Sequence, residues 1–237
     1  DNLTEYKVTY DQLLRMTSGI GINEDGSGKD KNSIMLLHES DAASYASSQE
    51  LISAPDIQYA YTGGGPVVLA REFIRLAGDG DPSKAYRFLE EKLISPLGLS
   101  SLILETDGKG TFLGSSFMSA SAQDWAKLGQ LYLQNGAWEG QRILPSDWSS
   151  YVAEKTDLAG DRDYGAGFWV ATDGSRDREL FASPIPRDTF FMHGMMNQAV
   201  FIIPSDGLVI VRLGATHEYR ASGEWDLVTD VLSAIRQ

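Results

Sequence analysis

Apolar positions change period along this chain, and the changes predict its elements. Within residues 189–214, TFFMHGMMNQAVFIIPSDGLVIVRLG, the runs 200–203 and 208–211 are β-branched or aromatic, short, and bounded by Pro and Gly. They predict two buried antiparallel strands joined by a turn at Pro204-Ser205-Asp206-Gly207. Just before them, His193-Gly194-Met195-Met196-Asn197-Gln198 is a polar, small and soft run at the mouth of an apolar strand, where a sheet edge can be shaped for a ligand. Strand alternation through that run would put His193, Met195 and Asn197 on one face.

Helical spacing appears earlier. Residues 4–16 lead into a short helix that stops at Thr17-Ser18-Gly19, and residues 33–47 are weakly helical. The turn Gly63-Gly64-Gly65-Pro66 opens a helix carrying Val67, Val68, Ala70 and Ile74 to a stop at Gly78. Asp81-Pro82-Ser83 starts the next, ending at Ser95-Pro96-Leu97-Gly98. Ser121 with Asp124 caps a third, whose stripe is Trp125, Leu128, Gly129 and Tyr132 and whose end is Asn135-Gly136. A short helix follows over 145–154, a strand over 164–172 (YGAGFWVAT), a polar insertion over 175–187, and a closing amphipathic helix over 224–235. Helices in the middle, strands and one helix at the end, indicate an α+β fold: a mainly helical subdomain over 11–155, then sheet strands covered by a C-terminal helix over 164–237.

Composition narrows the chemistry. A net charge of −13 leaves no basic stripe to neutralise phosphates, which excludes a nucleic-acid binder. With no cysteine there are no disulfides, thiolate metal sites or cysteine nucleophiles, and no metal-ligand pattern or cofactor motif is present. No apolar run is long enough for a membrane span, and Asp1-Asn2-Leu3-Thr4-Glu5 carries no signal-peptide pattern. The loop EDGSGKDK over 24–31 lacks the alternating oxygen spacing of a calcium loop and reads as solvated.

Several phrases, in their order, resemble the serine β-lactamase and penicillin-binding-protein superfamily, on the branch of class C β-lactamases, esterases and nylon-oligomer hydrolases. They are LLRMTSGI, YTGGGPVVLARE, ISPLGL, SASAQDWAKLGQLYLQNGAWEGQRILP, YGAGFWV and GMMNQAVFIIPSDGLVIVRLG, and together they span nearly the whole chain. The resemblance implies a β-lactamase/transpeptidase-like fold and an acyl-enzyme mechanism. Its parts are a nucleophilic Ser in Ser-x-x-Lys, a Tyr in Tyr-x-Asn as proton relay, and Lys-Thr-Gly or a His variant on a strand edge. Many relatives act in the envelope, which favours a periplasmic or secreted location.

No Ser here is followed by Lys three positions later. In the family that motif precedes the Leu-Leu-x-x-Thr-Ser-Gly stretch, so the expectation is an incomplete domain whose nucleophile comes from an N-terminal companion segment. A sheet lacking that segment's strands would show an open edge, and the chain alone would not turn over. The resemblance puts the relay tyrosine at Tyr61, with Thr62 and Gly63 beside the substrate; Gly63 stands where the family often has Asn. Aligning Gly194 and Gln198 to the family's flanking Gly and Gln makes Gln198 the backbone oxyanion donor and puts Met195, Met196 and Asn197 in the Lys-Thr-Gly places. A neutral Met195 disfavours carboxylate-bearing β-lactams and leaves small ester, amide or peptide-like substrates. His193 and Trp169 are further pocket candidates, although a satisfied strand-end histidine and a buried strand tryptophan are the plainer readings, and no pattern pairs His193 with a carboxylate. An inactive penicillin-binding-protein-like binding or scaffold module is the alternative function, which Gly63 and Met195 favour.

Overall fold

Polar caps start five helices of the computed structural model, which describes residues 2–171, 185–216 and 223–236. The chain forms two units, residues 1–120 and 121–237. In the first, α1 (Asn2–Glu5) precedes α2 (Tyr10–Leu14), where the Thr9 hydroxyl accepts from the Gln12 N–H and the Gln12 side chain accepts from the Thr9 N–H. Two helices occupy the weakly helical 33–47 stretch, α3 (Lys31–Leu37) and α4 (Ala42–Ser48), each started by an aspartate that accepts a backbone N–H three residues on.

The glycine turn opens α5 (Gly64–Gly78), which Asp79 ends in a left-handed conformation. Pro82 begins α6 (Pro82–Leu89) behind the Asp81 cap; a π segment, Glu90–Ile94, then carries the chain into α7 (Ser95–Leu97), ended by a left-handed Gly98. A short hairpin, β1 (Ile103–Leu104) with β2 (Met118–Ser119), completes the unit; two-residue strands leave too little alternation to be read from sequence. The core brings Ile20, Met35 and Val67 together with Ala42, Ala43 and Ala46, whose small side chains let α4 lie close to α5.

In the second unit α8 (Ala122–Leu133) starts at Ser121, whose hydroxyl accepts from the Asp124 N–H at 3.3 Å. A small hairpin of β3 (Ala137–Trp138) and β4 (Gln141–Arg142) leads to α9 (Trp148–Ala153). The sheet is β5 (Trp169–Val170), β6 (Phe190–Gly194), β7 (Gln198–Ile203) and β8 (Leu208–Arg212), antiparallel and in that spatial order. α10 (Gly223–Ile235) closes the chain. Most of the strand expected over 164–172 is a turn, with one bridge from Tyr164 to Trp169, because Gly165 packs directly on the Val152 carbonyl. The predicted insertion falls largely on residues 172–184, outside the described residues.

Both faces of β7 are covered, which is why its sequence is continuously apolar rather than alternating. Phe201 and Ile203 face Trp225, Val228 and Leu232 of α10. On the other face Ile202 joins Val152, Phe168 and Phe190, and Gly129 lets α8 press onto the strands: a β-carbon there would come 2.6 Å from a methyl of Val209. The outer edge of β8 pairs with no strand among the described residues.

Candidate functional site

In the first unit, the Thr17-Ser18-Gly19 phrase clamps the segment that delivers Tyr61. Gly19 accepts through its carbonyl from the Ile52 N–H, Thr17 from the Asp56 N–H, and Met16 from the Ala60 N–H, each at 2.9 Å. The Thr17 hydroxyl also donates to the Asp56 carboxylate at 2.9 Å. Three of these contacts lie within five residues of Tyr61, so the chain enters α5 on a fixed path. Tyr61 is 37% exposed, whereas Thr62 beside it is buried and its hydroxyl accepts from the Gly64 N–H at 3.1 Å. That bond holds the first free N–H of α5 and turns Thr62 inward, so Tyr61 alone of the three offers its side chain to solvent.

Gly63 has ordinary helical angles, so its identity reflects space rather than backbone freedom. A β-carbon there would fall 2.2 Å from Asn32 Oδ1 and 3.1 Å from Ser115 Oγ. Asn32, on α3, and Ser115, in the loop before β2, thus surround the position where the resemblance expects an Asn. Neither has a sequence signal that connects it to residue 63; only the packing of α3 against the start of α5 does.

In the second unit, the continuous strand expected through 193–198 is broken. Gly194 pairs with Gln198, and Met195, Met196 and Asn197 form the connection between β6 and β7. Met195 and Asn197 therefore do not share a strand face with His193. Met196 (φ 61°, ψ 33°) and Asn197 (φ 62°) are both left-handed, a combination that costs a non-glycine residue about 1 kcal/mol or more and is held only when its surroundings over-determine it. Those surroundings are Arg212 and Thr216. The Arg212 guanidinium donates to the Asn197 carbonyl at 2.7 Å, to the Gly214 carbonyl at 3.2 Å and to the Thr216 hydroxyl, while the Thr216 N–H donates to the Met196 carbonyl at 3.1 Å. Gln198 adds a donation to the Met195 carbonyl at 3.3 Å and accepts from the Gly214 N–H at 3.4 Å. The result is a fixed hairpin with Asn197 buried, Met195 78% exposed, and Gln198 exposed at the start of β7.

His193 points to the α10 side of the sheet. Its Nε2 lies 3.4 Å from Glu224 Oε1, and its ring stands edge-on to Phe191. A carboxylate neighbour thus exists that no spacing announced, close to the ring but not hydrogen-bonded to it; it comes from the first turn of α10, brought over by the packing of Trp225 on Phe191 and Phe201. Trp169 also belongs to this side, against the Phe191 and Phe201 cluster and edge-on to Tyr164 at 5.1 Å.

The predicted residues thus form two groups: Tyr61, Thr62 and Gly63 in the first unit, and Trp169, His193, Met195, Asn197 and Gln198 in the second.

A family model described as Beta-lactamase matches residues 3–230. The chain belongs to the beta-lactamase family. Solved structures repeat the beta-lactamase-family fold at low identity. A Bacillus anthracis protein described as a 6-aminohexanoate-dimer hydrolase is 19% identical with a TM-score of 0.73, over 99% of this chain and 66% of its own. A penicillin-binding-protein homologue from Caulobacter crescentus is 15% identical with a TM-score of 0.69, over 96% of this chain and 71% of its own. A hydrolase described as having promiscuous acyltransferase activity is 17% identical with a TM-score of 0.67, over 93% and 70%. The chain therefore spans about two thirds of the length of these beta-lactamase-like structures. No curated protein matches its sequence. Among the described residues, no helix is long and apolar enough to cross a membrane.

Proposed function

We propose that this chain supplies the tyrosine and third-motif parts of a serine hydrolase that cleaves small esters or amides through an acyl-enzyme. In this proposal the nucleophile and its lysine come from a Ser-x-x-Lys companion segment outside the 237 residues, and the chain alone does not turn over. The observation that carries the proposal is Tyr61, held by the Thr17-to-Gly19 clamp and exposed just before α5 while Thr62 and Gly63 are buried. A phenol becomes a useful proton relay only beside a cation that lowers its pKa, which is the part the companion lysine would play.

Family membership supports the reaction class, and the unpaired outer edge of β8 among the described residues supports a companion that adds strands to the sheet. Gln198, at the start of β7 behind a rigid hairpin, is the proposed oxyanion donor through its backbone N–H. Arg212 already donates to the Asn197 and Gly214 carbonyls and the Thr216 hydroxyl, and Met195 is neutral, so the hairpin offers no anchoring cation for a β-lactam carboxylate. Esters and amides fit it better.

The test is to express the chain together with the residues encoded before it and to measure hydrolysis of a p-nitrophenyl ester and labelling by a fluorophosphonate. Wild-type protein should do both, and Tyr61→Phe should lose about 10²-fold or more in turnover with its fold intact. Unchanged turnover in that variant would remove Tyr61 from the mechanism. Absence of both activities in the wild type would instead favour a non-catalytic ligand-binding module.

A further inference from the structure

Two buried oxygens converge on the backbone immediately after Tyr61. Asn32 is 8% exposed, and its Oδ1 has neither solvent contact nor a hydrogen-bond partner among the described residues; the same holds for Ser115 Oγ. Both lie against Gly63, at 2.2 Å and 3.1 Å from where a β-carbon would stand. A buried polar atom without a partner is destabilising, and native proteins hold few of them, so an amide oxygen and a hydroxyl left unpaired beside one glycine indicate a site whose partner is not part of the fold. Around it, the Thr62 hydroxyl is committed to the Gly64 N–H, and the Gly63 carbonyl accepts from the Val67 N–H at 3.4 Å.

We infer that Asn32 and Ser115 form an acceptor recess beside Tyr61 that binds an N–H donor, either an alkylammonium or an amide N–H. Gly63 is glycine because the Asn32 amide occupies its side-chain volume, so α3 contributes from a distance the polar group that position 63 lacks. Ser115 is only part-buried as a residue, although its hydroxyl oxygen has no solvent contact. Two sources share the required chemistry: a lysine ammonium of the companion segment, and the N–H of an amide substrate. The recess is a positioning element for the hydrolase proposed above and rests on that proposal for its purpose, but its donor binding is measurable without turnover.

The experiment follows the side-chain amide signal of Asn32 by NMR in the isotope-labelled 237-residue chain. Methylammonium chloride, N-methylacetamide and tetramethylammonium chloride are titrated separately. A saturable shift with methylammonium alone assigns the recess to a cationic amine, and one with N-methylacetamide alone assigns it to a substrate amide. In either case Ser115→Ala, which removes one oxygen without touching the clamp around Tyr61, should weaken the response, and Gly63→Ala, which displaces the Asn32 oxygen, should abolish it. No shift with either N–H donor overturns the inference, as does an equal shift with tetramethylammonium, which has no N–H, or an undiminished shift in Ser115→Ala. A protein that shows the shift yet hydrolyses nothing when its companion segment is present would sink the proposed enzyme and leave the recess standing.

Discussion

Gly19→Ala tests whether the Thr17-Ser18-Gly19 phrase is a steric clamp. Gly19 has φ +79°, and a β-carbon on it would lie 2.3 Å from the Ser53 carbonyl oxygen and 3.2 Å from its carbon. That carbonyl cannot swing aside, because the Ile52 N–H donates to Gly19 and Ile20 bridges Leu51 next door. The left-handed angle alone costs an alanine about 1 kcal/mol. Forcing two hydrogen-bonded segments apart adds roughly 1–3 kcal/mol. The total is about 2–4 kcal/mol, which for a chain of this size lowers Tm by roughly 4–16 °C. Gly26→Ala is the control: its φ is +73°, but nothing lies within 4 Å of its β-carbon, so it should lose only the angular part, about 1 kcal/mol. Thermal melts followed by circular dichroism compare the two. Equal losses in both variants would refute the clamp, because the steric contact would then contribute nothing.

Two other outcomes follow from the second unit. Burial holds the Tyr132 phenol above its ordinary pKa despite a hydrogen bond with Trp148, so the folded state binds the proton more tightly than the unfolded one. Stability is then lost as pH rises above about 10, and Tyr132→Phe should flatten the loss in denaturant midpoints measured on either side of that pH; parallel profiles would contradict it. In the hairpin, Met196→Gly relieves a left-handed methionine that is 38% exposed and packs little. After the added entropy of an unfolded glycine it should gain roughly 0.5–1 kcal/mol in urea unfolding, and a loss of stability would show that the angle is not strained.

The periodicity of residues 200–211 and the caps at Ser121 and Asp81 were sufficient to place the sheet centre and two helices, because each of these signals lies within one turn or one strand of sequence. The hairpin at 195–197 was not legible. An alternating run continues smoothly through a tight turn when the turn residues are soft, and no Gly or Pro punctuates Met195-Met196-Asn197 to announce left-handed angles. The same limit applies to the partners. Ala42, Ala43 and Ala46 read as a weak helix, whereas their purpose is the close approach of α4 to α5.

What the sequence determined by itself was the α+β order, the absence of any basic surface for nucleic acid, and the ordered phrases that resemble the family to which the chain proves to belong. These are properties of composition and of local spacing. Tertiary structure alone decided that His193 meets Glu224, that Arg212 locks the hairpin ahead of Gln198, and that Asn32 fills the space of the missing side chain at Gly63. Each of those contacts joins residues far apart in sequence through the packing of whole elements. No single residue in them carries a local preference for its partner, so only the folded chain shows the match.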